Sequence, residues 1–165
     1  MPSSKKKCFC IINERIIQIN SDSHLIKKCI DTNFVSTAGE LINKFENLFC
    51  KLYNFKYSLA VNSGTTALQI SIKALGVKKN DIVVVPSYTF AATANAIIYN
   101  NSKPWFVDCN EQLDLCINSL EKEFSKKTIQ IKNQCYLKSS KERVKGIIPV
   151  LTFGKKINFK KYINF

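Results

Sequence analysis

The chain has 165 residues, a formal net charge of +13 and 45% hydrophobic residues. That length suits one domain or part of a larger one, and the apolar content excludes a disordered chain. The positive charge lies almost entirely on lysine, since the only arginines are Arg15 and Arg143. Scattered lysines with abundant Asn and Ile indicate A/T-rich codon usage, whereas arginine dominates phosphate and base recognition. We therefore predict no nucleic-acid partner.

The cysteine and histidine content predicts no metal site. Seven cysteines are spread along the chain without a Cys-x-x-Cys motif, and His24 is the only histidine. Cys8 and Cys10 are too close together for a zinc pair, so free thiols in a reducing compartment are expected. The apolar run after Lys5–Lys7 has only five residues, too few for a signal peptide or a membrane span. We predict a soluble cytoplasmic protein with no membrane partner.

The first part of the chain predicts two helices and one strand. Residues 1–22 form an N-terminal segment without a clear pattern, and apolar spacing predicts a helix over 23–30. Thr37 and Glu40 resemble a capping box, after which apolar residues continue at helical spacing. The short, mostly apolar run Tyr57–Val61 predicts a strand.

The middle of the chain alternates between helices and strands. A helix begins within Asn62–Thr66 ("NSGTT") and ends near Leu75, where Gly76 suits the position just past a helix end. Ile82–Val85 is a run of four β-branched residues, which predicts a strand buried on both faces. A further helix is predicted in the segment "SYTFAATANAIIY".

The rest of the chain completes an α/β pattern. Pro104–Val107 predicts another strand, Leu120–Phe124 a short helix, and Lys145–Val150 a fourth strand. The Lys-rich residues 125–143 are predicted to form a polar surface insert. Residues 23–165 thus predict a mostly parallel sheet flanked by helices, with sites at the carboxyl ends of the strands.

The turn Asn62–Thr66 predicts a phosphate cradle. A helix N-terminus leaves amide groups without partners and carries partial positive charge, and small residues let an anion approach them. Gly64 permits a backbone conformation that other residues resist, and the hydroxyls of Thr65 and Thr66 add donors. The alternative is ordinary capping by Ser63 or Thr65, worth about 1 kcal/mol.

A second strand-to-helix turn, "PSYTFAATANA", contains the aromatic residues Tyr88 and Phe90. An aromatic ring at the carboxyl end of a strand, near a phosphate cradle, can stack on a planar ligand. The alternative is that Phe90 packs in the core as part of its helix.

These motifs, in this order, resemble the pyridoxal-phosphate-dependent nucleotide-sugar aminotransferases of the DegT/StrS type. The upstream "FVSTAGELINKFENLFCKLYNFKYSLAV" and the downstream "GIIPVLTFG" extend the resemblance from about Ile30 to Phe159. The resemblance implies the N-terminal half of the large domain of a fold-type I aminotransferase, which works as a homodimer. Such enzymes transfer an amino group from an amino acid, commonly glutamate, to a nucleotide-linked keto sugar used in glycan biosynthesis.

The resemblance also implies residue roles. Gly64, Thr65 and Thr66 would hold the phosphate of pyridoxal 5′-phosphate, and Phe90 would stack on its pyridine ring. The Lys-rich insert and "CIDTNFVSTAGE" are similar to the branch acting on UDP-linked 4-keto-6-deoxy amino sugars.

Two residues essential to the family's chemistry have no match in this chain. One is the lysine that forms the Schiff base with the cofactor, and the other is the aspartate that pairs with the pyridine nitrogen. Leu151 stands where the family often has His. We therefore expect no catalytic residue in the chain and a truncated aminotransferase that is inactive alone. The alternatives are one half of a split enzyme, or a basic module that binds nucleic acid or protein.

The implied strand order gives an expectation about folding. Strands at Ile82–Val85, Pro104–Val107 and Gly146–Val150 would lie together, whereas the neighbours of Tyr57–Val61 would come from the absent half. Tyr57–Val61 should therefore lack partners, and the inner edge of the group should be open. Low solubility or dependence on a partner is expected.

Overall fold

The computed structural model describes residues 22–34, 39–154 and Tyr162. They fall into two compact units, one that ends at Asn62 and one that starts at Ser63. Most of the predicted N-terminal segment and Thr37 of the predicted capping box lie outside the described residues.

The first unit contains the two predicted helices, α1 (Asp22–Asp31) and α2 (Glu40–Tyr53). The strand predicted at Tyr57–Val61 does not form. Instead, the Ser58 hydroxyl donates to the Glu46 carbonyl at 2.7 Å and the Ala60 amide donates to Glu46 Oε1 at 2.8 Å. No strand of the described residues pairs with this segment, as expected. Its hydrogen bonds go to Glu46 of α2 instead of to a neighbouring strand.

The second unit contains one sheet of five strands in the order β2-β1-β5-β4-β3. The central strand β1 pairs in parallel with β2 and with β5, which confirms that these three strands lie together. All five residues of β1 are buried, as the β-branched run predicts. The strands are β1 (Ile82–Pro86), β2 (Lys103–Val107), β3 (Thr128–Ile131), β4 (Gln134–Leu137) and β5 (Arg143–Ile147).

Helices cover both faces of β1. They are α3 (Gly64–Ala74), α4 (Ala91–Tyr99) and α5 (Ile117–Lys127), the last of which includes the predicted helix at Leu120–Phe124. Successive side chains of a strand point to opposite faces. Val83 and Val85 therefore share a core cluster with α3 and α4, whereas Val84 shares one with Leu120 of α5.

Helices α3 and α4 end together at the amino edge of the sheet. Gly76 terminates α3 with a φ of 68°, as predicted. The Asn100 side-chain amide, just past α4, donates to the Val77 carbonyl at 3.1 Å, and the Ser102 hydroxyl donates to the Lys78 carbonyl at 3.0 Å. Because both helices lie along the sheet from this edge, both begin at the carboxyl edge.

The Lys-rich residues 125–143 comprise the end of α5 and a β-hairpin that extends the sheet. Lys132 and Asn133 have φ values of 48° and 61°, the positive values that a two-residue hairpin turn requires. Strand β4 pairs antiparallel with β5 only at Arg143 and Val144. Because of this pairing, β5 starts at Arg143 rather than at Lys145, the start that the sequence predicts. Beyond Val144, no described strand borders that side of β5, so the expected open edge is only partly covered.

A buried ion pair joins the starts of β1 and β5. Arg143 Nε donates to Asp81 Oδ1 at 2.9 Å and Arg143 Nη2 donates to Asp81 Oδ2 at 2.5 Å. Asp81 is 6% exposed and also accepts the Lys78 amide at 2.7 Å. Burial alone raises the pKa of the Asp81 carboxyl, but the hydrogen bonds from Arg143 and Lys78 outweigh burial and lower that pKa.

We expect Arg143→Ala to lower the free energy of unfolding by about 3 kcal/mol, because it leaves the buried Asp81 carboxylate unpaired. Lys103→Ala is the matched control, since it breaks the more exposed ion pair between Lys103 and Glu142 and should change the free energy of unfolding much less, because solvent screens an exposed pair. Urea unfolding measures both changes. Equal effects of the two substitutions would contradict the assigned role of the buried pair.

The Arg143→Ala defect should also depend on pH. The pKa of Asp81 is lower in the folded than in the unfolded chain, so its stabilising contribution is present above about pH 4. That contribution is lost as the pH falls through the folded-state value. The difference in unfolding free energy between wild type and Arg143→Ala should therefore shrink as the pH falls from about 5 to below about 4. A difference that stays constant over that range would show that Arg143 does not lower the pKa of the Asp81 carboxyl.

Candidate functional site

Ser63 caps helix α3. Its backbone is extended and its hydroxyl oxygen accepts the Thr66 amide at 3.2 Å. The Thr66 hydroxyl lies 3.0 Å from the Ser63 hydroxyl. Ordinary capping, one of the two interpretations of this turn, is therefore present, and Ser63 rather than Thr65 provides it.

Two amide groups at the start of α3 remain available after capping. The amides of Gly64 and Thr65 have no acceptor among the described residues, and both residues are half-buried at the positive end of the helix. Gly64 is the first helical residue, and the glycines with positive φ are Gly76 and Gly154. The prediction that Gly64 adopts a special conformation is wrong. Its relevant property is that it places no side chain beside these amides.

Phe90 is the N-cap residue of α4 and makes no side-chain cap hydrogen bond. Its ring is 76% exposed, so the alternative that Phe90 packs in the core is wrong. The turn before it is ordered, because the Thr89 hydroxyl donates to the hydroxyl of the buried Thr93 at 2.9 Å. Tyr88, in the same turn, is 48% exposed.

The fold brings the predicted site residues to one edge of one face. Helices α3 and α4 share a core cluster with β1, and both begin at the carboxyl edge of the sheet. Gly64, Thr65 and Thr66 lie at the start of α3, and Phe90 lies at the start of α4. This edge therefore offers free amide donors and a free aromatic ring, which together can hold an anionic group attached to a planar one.

Among the described residues of this unit, the groups with shifted pKa values are Asp81, Cys116, Glu142, Arg143 and Tyr162. Asp81 and Arg143 lie at the amino edge, whereas Cys116 and Tyr162 lie on the face covered by α5. Hydrogen bonds from the Ser119 hydroxyl and amide lower the pKa of the Cys116 thiol, and burial raises the pKa of Tyr162. None of these five groups belongs to the two turns themselves, which contribute amide groups and an aromatic ring.

Two residues with notable local features were not predicted from the sequence. The Cys109 sulfur accepts a hydrogen bond from the Tyr88 amide at 3.4 Å. Phe153, just past β5, has a φ of 55° and is 75% exposed. The sequence predicts the cysteines as free thiols, which indicates no acceptor role for any one of them, and no sequence pattern indicates a positive φ at a phenylalanine.

Residues 17–163 match the DegT/DnrJ/EryC1/StrS aminotransferase family. The chain belongs to this family. It is 35% identical to GDP-perosamine synthase of Escherichia coli O157:H7 over 108 residues, which cover 65% of this chain and 30% of the relative. It is 31% identical to the UDP-4-amino-4,6-dideoxy-N-acetyl-β-L-altrosamine transaminase of Campylobacter jejuni (strain 81-176) over 134 residues, or 81% of this chain and 31% of the relative. The chain thus spans less than a third of these relatives.

Solved structures of the family share the fold. An aminotransferase from Brucella abortus has a TM-score of 0.73 at 25% identity, and the match covers 86% of this chain and 36% of that one. An E. coli GDP-4-keto-6-deoxy-D-mannose-3-dehydratase with bound hydrated pyridoxal phosphate has a TM-score of 0.68 at 25% identity, covering 88% and 35%. These matches confirm the predicted α/β fold of a pyridoxal-phosphate-dependent aminotransferase, present here as a partial domain.

Within the described residues, no helix combines the length and apolar character needed to cross a bilayer.

Proposed function

We propose that this chain is the cofactor-binding amino-terminal part of a nucleotide-sugar aminotransferase. In that enzyme an amino group passes from an amino acid, glutamate, to a keto sugar carried on a nucleotide. The observation that carries the proposal is the placement of the free Gly64 and Thr65 amides at the same edge and face as the exposed Phe90 ring. The complete enzyme is a homodimer in the cytoplasm, where the five free thiols of the described residues remain reduced.

The start of α3 binds the phosphate of the cofactor. The amides of Gly64 and Thr65 donate to phosphate oxygens, and the helix adds partial positive charge at the same point. The Thr66 hydroxyl, which is within hydrogen-bond distance of Ser63, provides a further donor. Because Gly64 has no side chain, no Cβ at this position would stand between the phosphate and the backbone amides.

Phe90 binds the planar ring. Its exposed ring would stack on the pyridine ring and so would help to orient the cofactor. Pyridoxal phosphate supplies an electron sink for amino-group transfer when bound. The residues of this chain would anchor and orient the cofactor. Proton transfer would be carried out by residues for which this chain has no matching motif.

A complementary segment supplies the nucleophilic lysine and the aspartate that holds the pyridine nitrogen protonated. No lysine or aspartate of this chain matches the family motifs for these roles, so we propose that the chain alone is inactive. The complementary segment is either part of the same longer protein or a separate polypeptide. The name "assembled enzyme" below means this chain together with that segment.

The sugar substrate is linked to UDP. The match to the C. jejuni transaminase, whose name specifies a UDP-linked sugar, extends over 134 residues. The match to the E. coli synthase, whose name specifies a GDP-linked sugar, extends over 108 residues. The E. coli match is shorter but more identical, at 35% against 31%. The proposal of a UDP-linked 4-keto-6-deoxy amino sugar rests on the length of the C. jejuni match, and assays with both nucleotide classes distinguish the two.

We expect this chain alone to show no saturable change in pyridoxal-phosphate absorbance and no amino transfer to GDP- or UDP-linked keto sugars. Slow, unsaturable reaction of surface lysines is the background, and a heat-unfolded sample is the control. Amino transfer should appear in the assembled enzyme. Stoichiometric modification of one lysine together with turnover by this chain alone would overturn the division of roles. Salt-dependent binding to DNA without cofactor binding would instead support the basic binding module.

Substitutions in the two turns should weaken cofactor binding by the assembled enzyme. Gly64→Val should weaken it more than Gly64→Ala, because the branched side chain blocks the amides. Phe90→Ala should cost about 1–3 kcal/mol through the lost stacking surface. Phe106→Ala is the matched control, since Phe106 is an exposed phenylalanine on β2.

Equilibrium dialysis against pyridoxamine 5′-phosphate measures these affinities, and circular dichroism checks that each variant is folded. If both Gly64→Val and Phe90→Ala bind the cofactor like wild type, the two turns only cap helices and the proposed function fails.

A further inference from the structure

The sulfur of Cys109 lies between the carboxyl ends of β1 and β2. It accepts the Tyr88 amide at 3.4 Å and a longer hydrogen bond from the Ser87 hydroxyl at 3.8 Å. The Ser87 amide continues the ladder by donating to the Val107 carbonyl at 2.8 Å, after which the backbone leaves the sheet. The Tyr88 amide has no other acceptor among the described residues, so Cys109 satisfies the first amide beyond the ladder.

The backbone of Cys109 is itself firmly held. Cys109 forms an antiparallel bridge with Leu115, whose side chain is only 1% exposed. The flanking hydrogen bonds run from the Cys116 amide to the Asp108 carbonyl at 3.0 Å and from the Asn110 amide to the Asp114 carbonyl at 2.9 Å. The sulfur is therefore a fixed point attached to the core on the α5 face.

The position of the Phe90 ring depends on the Cys109 sulfur, because the ring itself packs against few other residues. With 76% of Phe90 exposed, the position of the ring is set by the backbone of the turn Ser87–Phe90. That turn is held at its far end by the bond from Thr89 to Thr93 and at its near end by the Cys109 sulfur. Loss of the sulfur would leave the Tyr88 amide without this acceptor, so the near end of the turn would be held through the bond from the Ser87 amide to Val107 alone among the described contacts.

We propose that Cys109 is a positioning residue for cofactor binding, which acts by anchoring the turn that presents the Phe90 ring. This inference rests on the proposed function, since it assigns Cys109 to the ring-binding part of that site. The role requires a side chain that places an acceptor atom at the distance of the cysteine sulfur from the backbone. A serine oxygen sits closer to the backbone and restores the hydrogen bond only in part, and an alanine abolishes it.

The first measurement uses the chain itself under reducing conditions. Amide hydrogen exchange of the segment containing Tyr88 should be faster in Cys109→Ala than in wild type and intermediate in Cys109→Ser. Cys135→Ala, which makes the same change on β4, is the control and should leave that segment unchanged. Unchanged exchange in Cys109→Ala would overturn the anchoring role.

The second measurement is the affinity of the assembled enzyme for pyridoxamine 5′-phosphate in a double-mutant cycle. Cys109→Ala should weaken binding about three- to tenfold in wild type, as expected for one lost hydrogen bond. It should have no further effect in Phe90→Ala, because the ring it positions is gone. A general structural defect would instead weaken both backgrounds equally and overturn the inference.

The outcomes separate the two proposals. If Phe90→Ala and Gly64→Val leave affinity unchanged, the proposed function fails whatever Cys109→Ala does. If they weaken binding while Cys109→Ala in the wild-type background does not, only the role of Cys109 fails.

Discussion

The burial of β1 on both faces is the constraint on which the rest of the structure depends. Val83 and Val85 are covered by α3 and α4, whereas Val84 is covered by the cluster that includes Leu120 of α5. Burying each such side chain contributes about 1.5–3 kcal/mol, so the strand keeps helices on both faces. With each helix running along the sheet, the turns after β1 and before α3 open at the carboxyl edge. The location of the site follows from the packing of this one strand.

Two features at that edge, the Phe90 ring and the amides at the start of α3, contribute little to folding and are suited to binding a ligand. Phenylalanine is a poor N-cap residue, yet Phe90 occupies that position with its ring in solvent. Ser63 caps α3 through Thr66, which leaves the Gly64 and Thr65 amides free. Departures from local rules at the same edge are typical of functional sites in otherwise consistent folds. The Cys109 sulfur links this edge to the opposite face of the sheet, so the geometry of the turn before α4 depends on both cores.

Much of the fold was predictable because its strongest signals are local. The run Ile82–Val85 predicted a doubly buried strand, and Gly76 marked the end of α3. The hairpin β3–β4 was missed because its strands are only four residues long and lie in a Lys-rich stretch. The pairing of β4 with Arg143 also makes β5 start earlier than predicted. The strand at Tyr57–Val61 was predicted from composition alone, whereas strands need partners. Phe90 was named from the sequence, but only its exposure decided between ligand stacking and core packing. Cys109 could not be found, since its role depends on a contact between residues 21 positions apart.

The central claim is that the start of α3 holds the phosphate and Phe90 covers the ring of one bound cofactor molecule. A crystal structure of the assembled enzyme with pyridoxamine 5′-phosphate tests it most directly. The account predicts phosphate oxygens within about 3.2 Å of the Gly64 and Thr65 amides and the pyridine ring stacked on Phe90. A cofactor bound elsewhere, with the start of α3 occupied only by its Ser63 cap, would contradict it.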